Sequence, residues 1–212
     1  MFSRLSKRLL VTKPGNHVVS APSRVFSVDS TPGGFTYPAP RKLDGVVNME
    51  MFATQPVDIL TTIWTEHHAQ SATSMASVIS AADFNIIQKR AVNTPFFTFP
   101  VMRETGHFVL LSQFQDKSFL LTYLEDYRTN PANAQPYMTI TAYDELALTH
   151  GVVLLRADIC ALATLSKTDA ERILRQMVEM YRDDNKYQHI YNFNKVTEQF
   201  DFEETMKLMN SI

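Results

Sequence analysis

Apolar positions along this chain change their spacing twice. From Pro56 to about Gln70 they recur every three or four residues (Val57, Leu60, Ile63/Trp64, His67), which predicts a helix with one buried face. Pro56 suits its first turn, where a missing N–H costs nothing. Met75–Ile79 reads as a short strand. Ser80 with Asp83 three residues on starts a second helix, with Phe84, Ile87 and Ala91 on one face as far as Asn93. The period then drops to two. Pro95–Val101, His107–Gln115, Ser118–Tyr127 and Tyr137–Tyr143 read as strands. Turns at Arg103–Gly106 and Asp116–Lys117, and a longer Arg128–Pro136 loop, would join them into an antiparallel meander. In the last of them Met138, Ile140 and Ala142 alternate with Tyr137, Thr139 and Thr141, as in a sheet with one covered face.

After the meander, Asp144–Thr149 reads as one helical turn ended by Gly151, and Val152–Ala157 as another strand. Thr168 and Glu171 match a capping box, opening a helix to about Asp183. Ala170, Ile173, Leu174, Met177 and Tyr181 form its core-facing stripe, and Glu171 and Arg175 its i,i+4 pair. Gln188–Asn194 reads as a final strand and Glu203–Met209 as a C-terminal helix. The predicted class is α+β: a single domain over residues 43–212, a mainly antiparallel twisted sheet packed by helices near both ends of the chain. Residues 27–42, punctuated by Pro32, Gly33, Gly34, Pro38 and Pro40, read as a flexible linker.

Charge changes the picture at the N-terminus. Five basic side chains (Arg4, Lys7, Arg8, Lys13, Arg24) precede the first acid, Asp29. On a helix Phe2, Leu5 and Leu9 face away from Arg4, Lys7 and Arg8, and serines are frequent. Residues 1–26 therefore read as a mitochondrial transit peptide, with Arg24-Val25-Phe26-Ser27 resembling a matrix-protease site. A disordered basic tail on a cytosolic protein is the other reading. A chain starting at Ser27 would carry 15 basic and 22 acidic side chains, a net −7. That balance argues against nucleic acid as a general partner. Cys160 is the only cysteine, so no intrachain disulfide or thiolate cluster forms. The longest apolar runs, Phe108–Leu111 and Gly151–Leu155, are of strand length, which predicts no membrane insertion.

Candidate chemistry is sparse. His67 and His68 are adjacent, and neighbouring helix positions point about 100° apart, which does not make a bidentate metal site. Cys160 ends an apolar strand, with no histidine close in sequence. Six glycines form neither a Gly-x-Gly-x-x-Gly loop nor a P-loop. Paired carboxylates (Glu125-Asp126, Asp183-Asp184, Glu203-Glu204) sit at element ends, as solvated groups do. What stands out is Pro95-Phe96-Phe97-Thr98-Phe99-Pro100, aromatic on both faces and bounded by prolines, which favours a sheet edge. Such a strand fits burial between helices, and it also fits a partner-binding edge. Ten methionines add adaptable apolar surface.

The run Phe84-Asn85-Ile86-Ile87-Gln88-Lys89-Arg90-Ala91, followed by Thr94-Pro95-Phe96-Phe97, Pro100, Arg103-Glu104 and Gly106, resembles the mitochondrial ATP synthase assembly factors that chaperone the beta subunit of the catalytic head. Leu43-Asp44-Gly45-Val46-Val47 and Ile63-Trp64 extend the resemblance upstream. His150 to Ala157, Tyr187 and Phe193-Asn194 extend it downstream, where they match late strands of the family. Thr65-Glu66-His67-His68 departs from the basic and aromatic run expected there, and Gln88-Lys89 stands where an aromatic is usual.

The resemblance implies a non-enzymatic, monomeric matrix protein without cofactor or metal. It would cover free beta subunit until the alpha subunit displaces it. The contact surface expected on that basis is Phe96, Phe97 and Phe99, rimmed by Arg90, Arg103 and Glu104. Two other readings remain open: a stable structural subunit of a mitochondrial complex, and a small-molecule enzyme using His67, His68 or His107.

Overall fold

The computed structural model describes residues 40–212. The expected transit peptide, and all but the last residues of the expected linker, lie outside that range. A short 3-10 turn, Leu43–Gly45, leads into α1 (Met49–Phe52) and α2 (Val57–Ala69). Then follow β1 (Ser74–Ser80), α3 (Ala81–Asn93), β2 (Phe96–Arg103), β3 (Gly106–Gln115) and β4 (Ser118–Tyr123). The chain continues with α4 (Leu124–Thr129), β5 (Pro136–Tyr143), α5 (Ala147–His150) and β6 (Val152–Ile159). It closes with α6 (Lys167–Arg182), α7 (Asp184–Lys195), a 3-10 turn at Thr197–Gln199 and α8 (Phe202–Asn210).

Six strands form one sheet in the order β1-β6-β5-β4-β3-β2, every neighbouring pair antiparallel. The class is α+β, as the change of period predicts. The meander β2–β5 follows from its short turns. Asp116 and Lys117 both take positive φ (42° and 64°), the twist a two-residue hairpin needs. Gly151 ends α5 in the left-handed region, with φ 68°.

Alternation along the strands divides the core. One face of the sheet carries Phe97, Phe99, Leu110, Phe119, Leu121, Met138, Ile140 and Leu155 against α3, α6, α7 and α8. Leu60, Ile63 and Trp64 of α2 pack with Tyr143 and Leu154 in a second cluster on the other face. Each buried side chain of this size contributes about 1.5–3 kcal/mol, so the two clusters together supply most of the drive to fold.

Three local expectations are corrected. The strand expected over Ser118–Tyr127 stops at Tyr123, and α4 follows, with Glu125 and Asp126 in its first turn and Arg128 in its last. That charge order suits the helix dipole, and the register of β4 on β5 has already shifted between Leu121 and Thr122. The capping box belongs to Ser166 and Asp169 rather than to Thr168 and Glu171. Asp169 N–H donates to Ser166 Oγ at 3.1 Å, and Ser166 N–H donates back to Asp169 Oδ2 at 3.1 Å. The helix therefore begins two residues earlier, and aspartate does the work of the usual glutamate. Finally, Gln188–Asn194 is helical. The carboxylate of Asp183 accepts from the N–H groups of Asn185 and Lys186 at 3.0 Å each, an N-cap that starts α7 directly behind α6.

Candidate functional site

The strand β2 does lie at a sheet edge, yet its aromatics do not face outward. Phe97 and Phe99 are fully buried, with ring centroids 5.7 Å apart and edge-to-face. Phe97 also meets Phe193 at 5.8 Å and Phe200 at 6.4 Å. Phe96 points to the opposite face and is half-buried beside Leu111 and Leu120. The outer backbone of Phe96 is occupied too. Asn194 accepts from Phe96 N–H at 3.2 Å and donates to Phe96 O at 2.6 Å, as a paired strand residue would. The expected contact strand is thus core at Phe97 and Phe99. The resemblance segment at Phe193-Asn194, expected as a strand, is the helix that covers it.

The expected polar rim resolves similarly. Arg90 donates to Tyr181 O at 2.8 Å and Arg182 O at 2.9 Å, the uncapped carbonyls that end α6. It ion-pairs with Asp184 and lies over the Tyr187 ring, 4.5 Å from its centre. Arg103 reaches Thr164 O at 2.7 Å and Asp169 at 3.1 Å, so it ties the β2–β3 turn to the start of α6. Both arginines are joints between elements. Glu104 is exposed in that turn.

The Arg90 assignment makes a quantitative prediction. Arg90→Met should destabilise the fold by about 1–2 kcal/mol, because two carbonyls lose a charged donor. Asp184→Asn should change stability by less than about 0.5 kcal/mol, since the Asp184 side chain is 89% exposed. Chemical denaturation of the two variants checks the ordering.

The histidines expected as an alternative catalytic set do not converge. His107 starts β3 and lies 5.8 Å from the Phe202 ring, at the β2 end of the sheet. His67 and His68 ride on α2, over the opposite, β1 end. His68 is 1% exposed and packs 4.3 Å from Trp64. Its Nδ1 lies 2.8 Å from Trp64 O; a carbonyl only accepts, so Nδ1 carries the proton and Nε2 is left as an unpartnered buried acceptor. Burial first, and then the nearby Arg156 guanidinium, push its pKa down to about 4. The ring is therefore neutral near pH 7. His67 is lowered as well, for the same two reasons. Among the described residues no group of three His, Cys, Asp or Glu side chains is placed to hold a metal ion, and no helix is long and apolar enough to cross a membrane.

Two of the concave surfaces among the described residues border α3 or β1; a third, of about 490 Å³, is a shallow bend over residues 198–203. Of the first two, the smaller, about 380 Å³, is lined by Ile86, Lys89, Arg90, Asn93 and Tyr187, between α3 and α7. Two exposed apolar side chains, Ile86 and Val92, stand on the same helix α3. The larger is a groove of about 550 Å³ with β1 as its floor and α2 and α6 as its walls. Sequence reasoning placed β1 and both helices correctly and assigned the groove no role. Only the strand order, which puts β1 at an edge, makes it visible.

The profile of a family described as ATP11 protein matches residues 23–206. ATP synthase mitochondrial F1 complex assembly factor 1 from Homo sapiens is 27% identical over 171 residues, covering 80% of this chain and 51% of the human protein. The protein of the same name from Mus musculus is 27% identical over 163 residues, covering 76% and 49% respectively. The chain spans about half the length of the curated relatives it matches.

Proposed function

The chain belongs to the ATP11 protein family, and from that membership we propose that it is an assembly factor for the F1 part of mitochondrial ATP synthase, a chaperone of the unassembled beta subunit. The family match over residues 23–206 carries the reading, and the names of the human and mouse relatives give it its object. The acid-free, basic first 28 residues support import into the mitochondrial matrix. The mechanism is reversible covering. A beta subunit without its alpha neighbours exposes apolar surface that aggregates if left bare. A factor that binds this surface lowers the free concentration of the aggregating species. The alpha subunit displaces it by binding the same surface more tightly, so the exchange needs no covalent chemistry and no nucleotide hydrolysis by the factor.

The test is genetic and biochemical together. Loss of the protein should leave beta and alpha subunits in the insoluble fraction, and the tagged protein should capture free beta subunit in substoichiometric amounts. If both subunits stay soluble and fully assembled without it, the reading fails. Stoichiometric sedimentation with the mature enzyme would instead identify a structural subunit.

A further inference from the structure

We propose that the outer edge of β1 receives an extended segment of an unassembled ATP synthase subunit, as a seventh strand of the sheet. This rests on the assembly-factor reading and names the surface that would do the work. The hydrogen-bond phase of β1 is set at both ends: Ala81 N–H donates to Gly151 O, and Ile159 N–H donates to Thr73 O, each at 2.8 Å. Antiparallel ladders alternate, so the odd positions Met75, Ser77 and Ile79 bond to β6. The even positions Ala76 and Val78 then turn their N–H and C=O groups away from the sheet, towards the groove. Among the described residues neither is given a partner there.

The two edges of this sheet differ. At the β2 edge Asn194 occupies the backbone of Phe96, and Pro100 stands at another outward position, where it has no N–H to offer. Among the described residues the β1 edge has no such plug over Ala76 and Val78.

The groove beside it has the dimensions of a strand. Its α6 wall runs from Lys167 to Arg182, roughly 22 Å at the helical rise, and a seven-residue strand spans about 23 Å. An incoming strand would turn alternate side chains towards Leu174 and Val178 of α6, which favour apolar residues. The others would face Thr65 and Ala69 of α2, which leave room for small ones.

Charge adds a further constraint. Along the rim Lys167, Arg175 and Arg182 outnumber Glu171 and Glu179, on a described body holding 15 basic and 21 acidic side chains. Lys167 is committed to the carbonyls of His68, Ala69 and Ser71, and Glu179 to Arg182 and Lys186. Arg175 has no ion pair among the described residues, so the i,i+4 pair expected with Glu171 does not form. The fitting occupant is an apolar segment carrying an acidic residue, recognised by strand addition.

Backbone amide exchange of the full chain, alone and with purified beta subunit released from denaturant, tests the proposal. In the free protein the amides of Ala76 and Val78 should exchange fast, and those of Met75, Ser77 and Ile79 slowly. On complex formation Ala76 and Val78 should slow by at least about tenfold. Ala76→Pro removes one outward N–H without touching the ladder to β6. It should weaken capture by about tenfold, the factor corresponding to 1.4 kcal/mol, with the melting transition of the free protein retained. A complex that leaves both amides fast overturns strand addition and leaves the assembly-factor reading standing. No complex with beta subunit overturns both. Protection that grows with the protein's own concentration, without beta subunit, assigns the edge to a second copy of this chain and also overturns the proposal.

Discussion

Phe97→Ala is expected to lower the thermal midpoint by roughly 10 °C. Removing a fully buried phenylalanine costs about 3–5 kcal/mol, from lost transfer energy plus the cavity left behind. In a domain of this size each kcal/mol moves the midpoint by about 2–4 °C. The effect should sit at the upper end, because Phe97 is shared by three neighbours on two layers: Phe99 on its own strand, Phe193 on α7, and Phe200 beyond it. No single side chain can collapse into the gap. Phe96→Ala, at a half-buried position, should cost about 1 kcal/mol. If Phe97→Ala melts like the unaltered protein but no longer captures beta subunit, Phe97 is a contact residue and its placement in the core is wrong.

Acid should loosen the fold through His68. In the unfolded chain this ring titrates near 6.5; in the fold it is held down to about 4. A depressed histidine favours the fold's neutral form, so above pH 6.5 it contributes no penalty. As pH falls from 6.5 towards 4 the unfolded state gains a proton that the native state refuses, and stability drops by roughly 2–3 kcal/mol. Asp169 acts in a lower window. Burial raises it, but the Ser166 and Arg103 hydrogen bonds outweigh that, and its pKa is lowered overall. Its contribution is present above the unfolded carboxylate value and is lost as pH falls through its folded value. The two effects separate on a plot of melting temperature against pH. His68→Asn, whose amide can still donate to Trp64 O, should flatten the curve between pH 6.5 and 4. Parallel curves for the two proteins would remove His68 as the cause.

How far the residues announced the fold depends on the range of the interaction. Helix α3 was legible because its start, Ser80 with Asp83, and its stripe of Phe84, Ile87 and Ala91 lie within four turns of chain. The meander was legible because its turns are local. Helix α7 was not, since Tyr187, Tyr191 and Phe193 suggest a strand to any short window. What decides it is Asp183, a cap belonging to the preceding helix as well, and packing against β2 nearly a hundred residues earlier. The site suffered most. Arg90, Arg103 and Phe97 read as exposed binding chemistry because their partners (the carbonyls ending α6, Asp169, and the aromatics beyond Phe193) lie 60 to 100 residues away. The groove at β1 needs the most distant information of all, the strand order.

That strand order also dictates a schedule. β1 bonds to β6, and Trp64 Nε1 donates to Leu155 O across 91 residues of chain. A polypeptide emerging N-terminus first therefore presents α2 and β1 long before the β6 they are bonded to exists. The meander β2–β5 can zip while they wait; the Trp64 layer closes only when β6 arrives. Until then Leu60, Ile63 and Trp64 have only Leu43, Val46, Phe52 and β1 to pack against, and the side that meets Tyr143 and Leu154 is bare. A protein proposed to shield others thus passes through a stage at which its own α2 and β1 are the incompletely covered client.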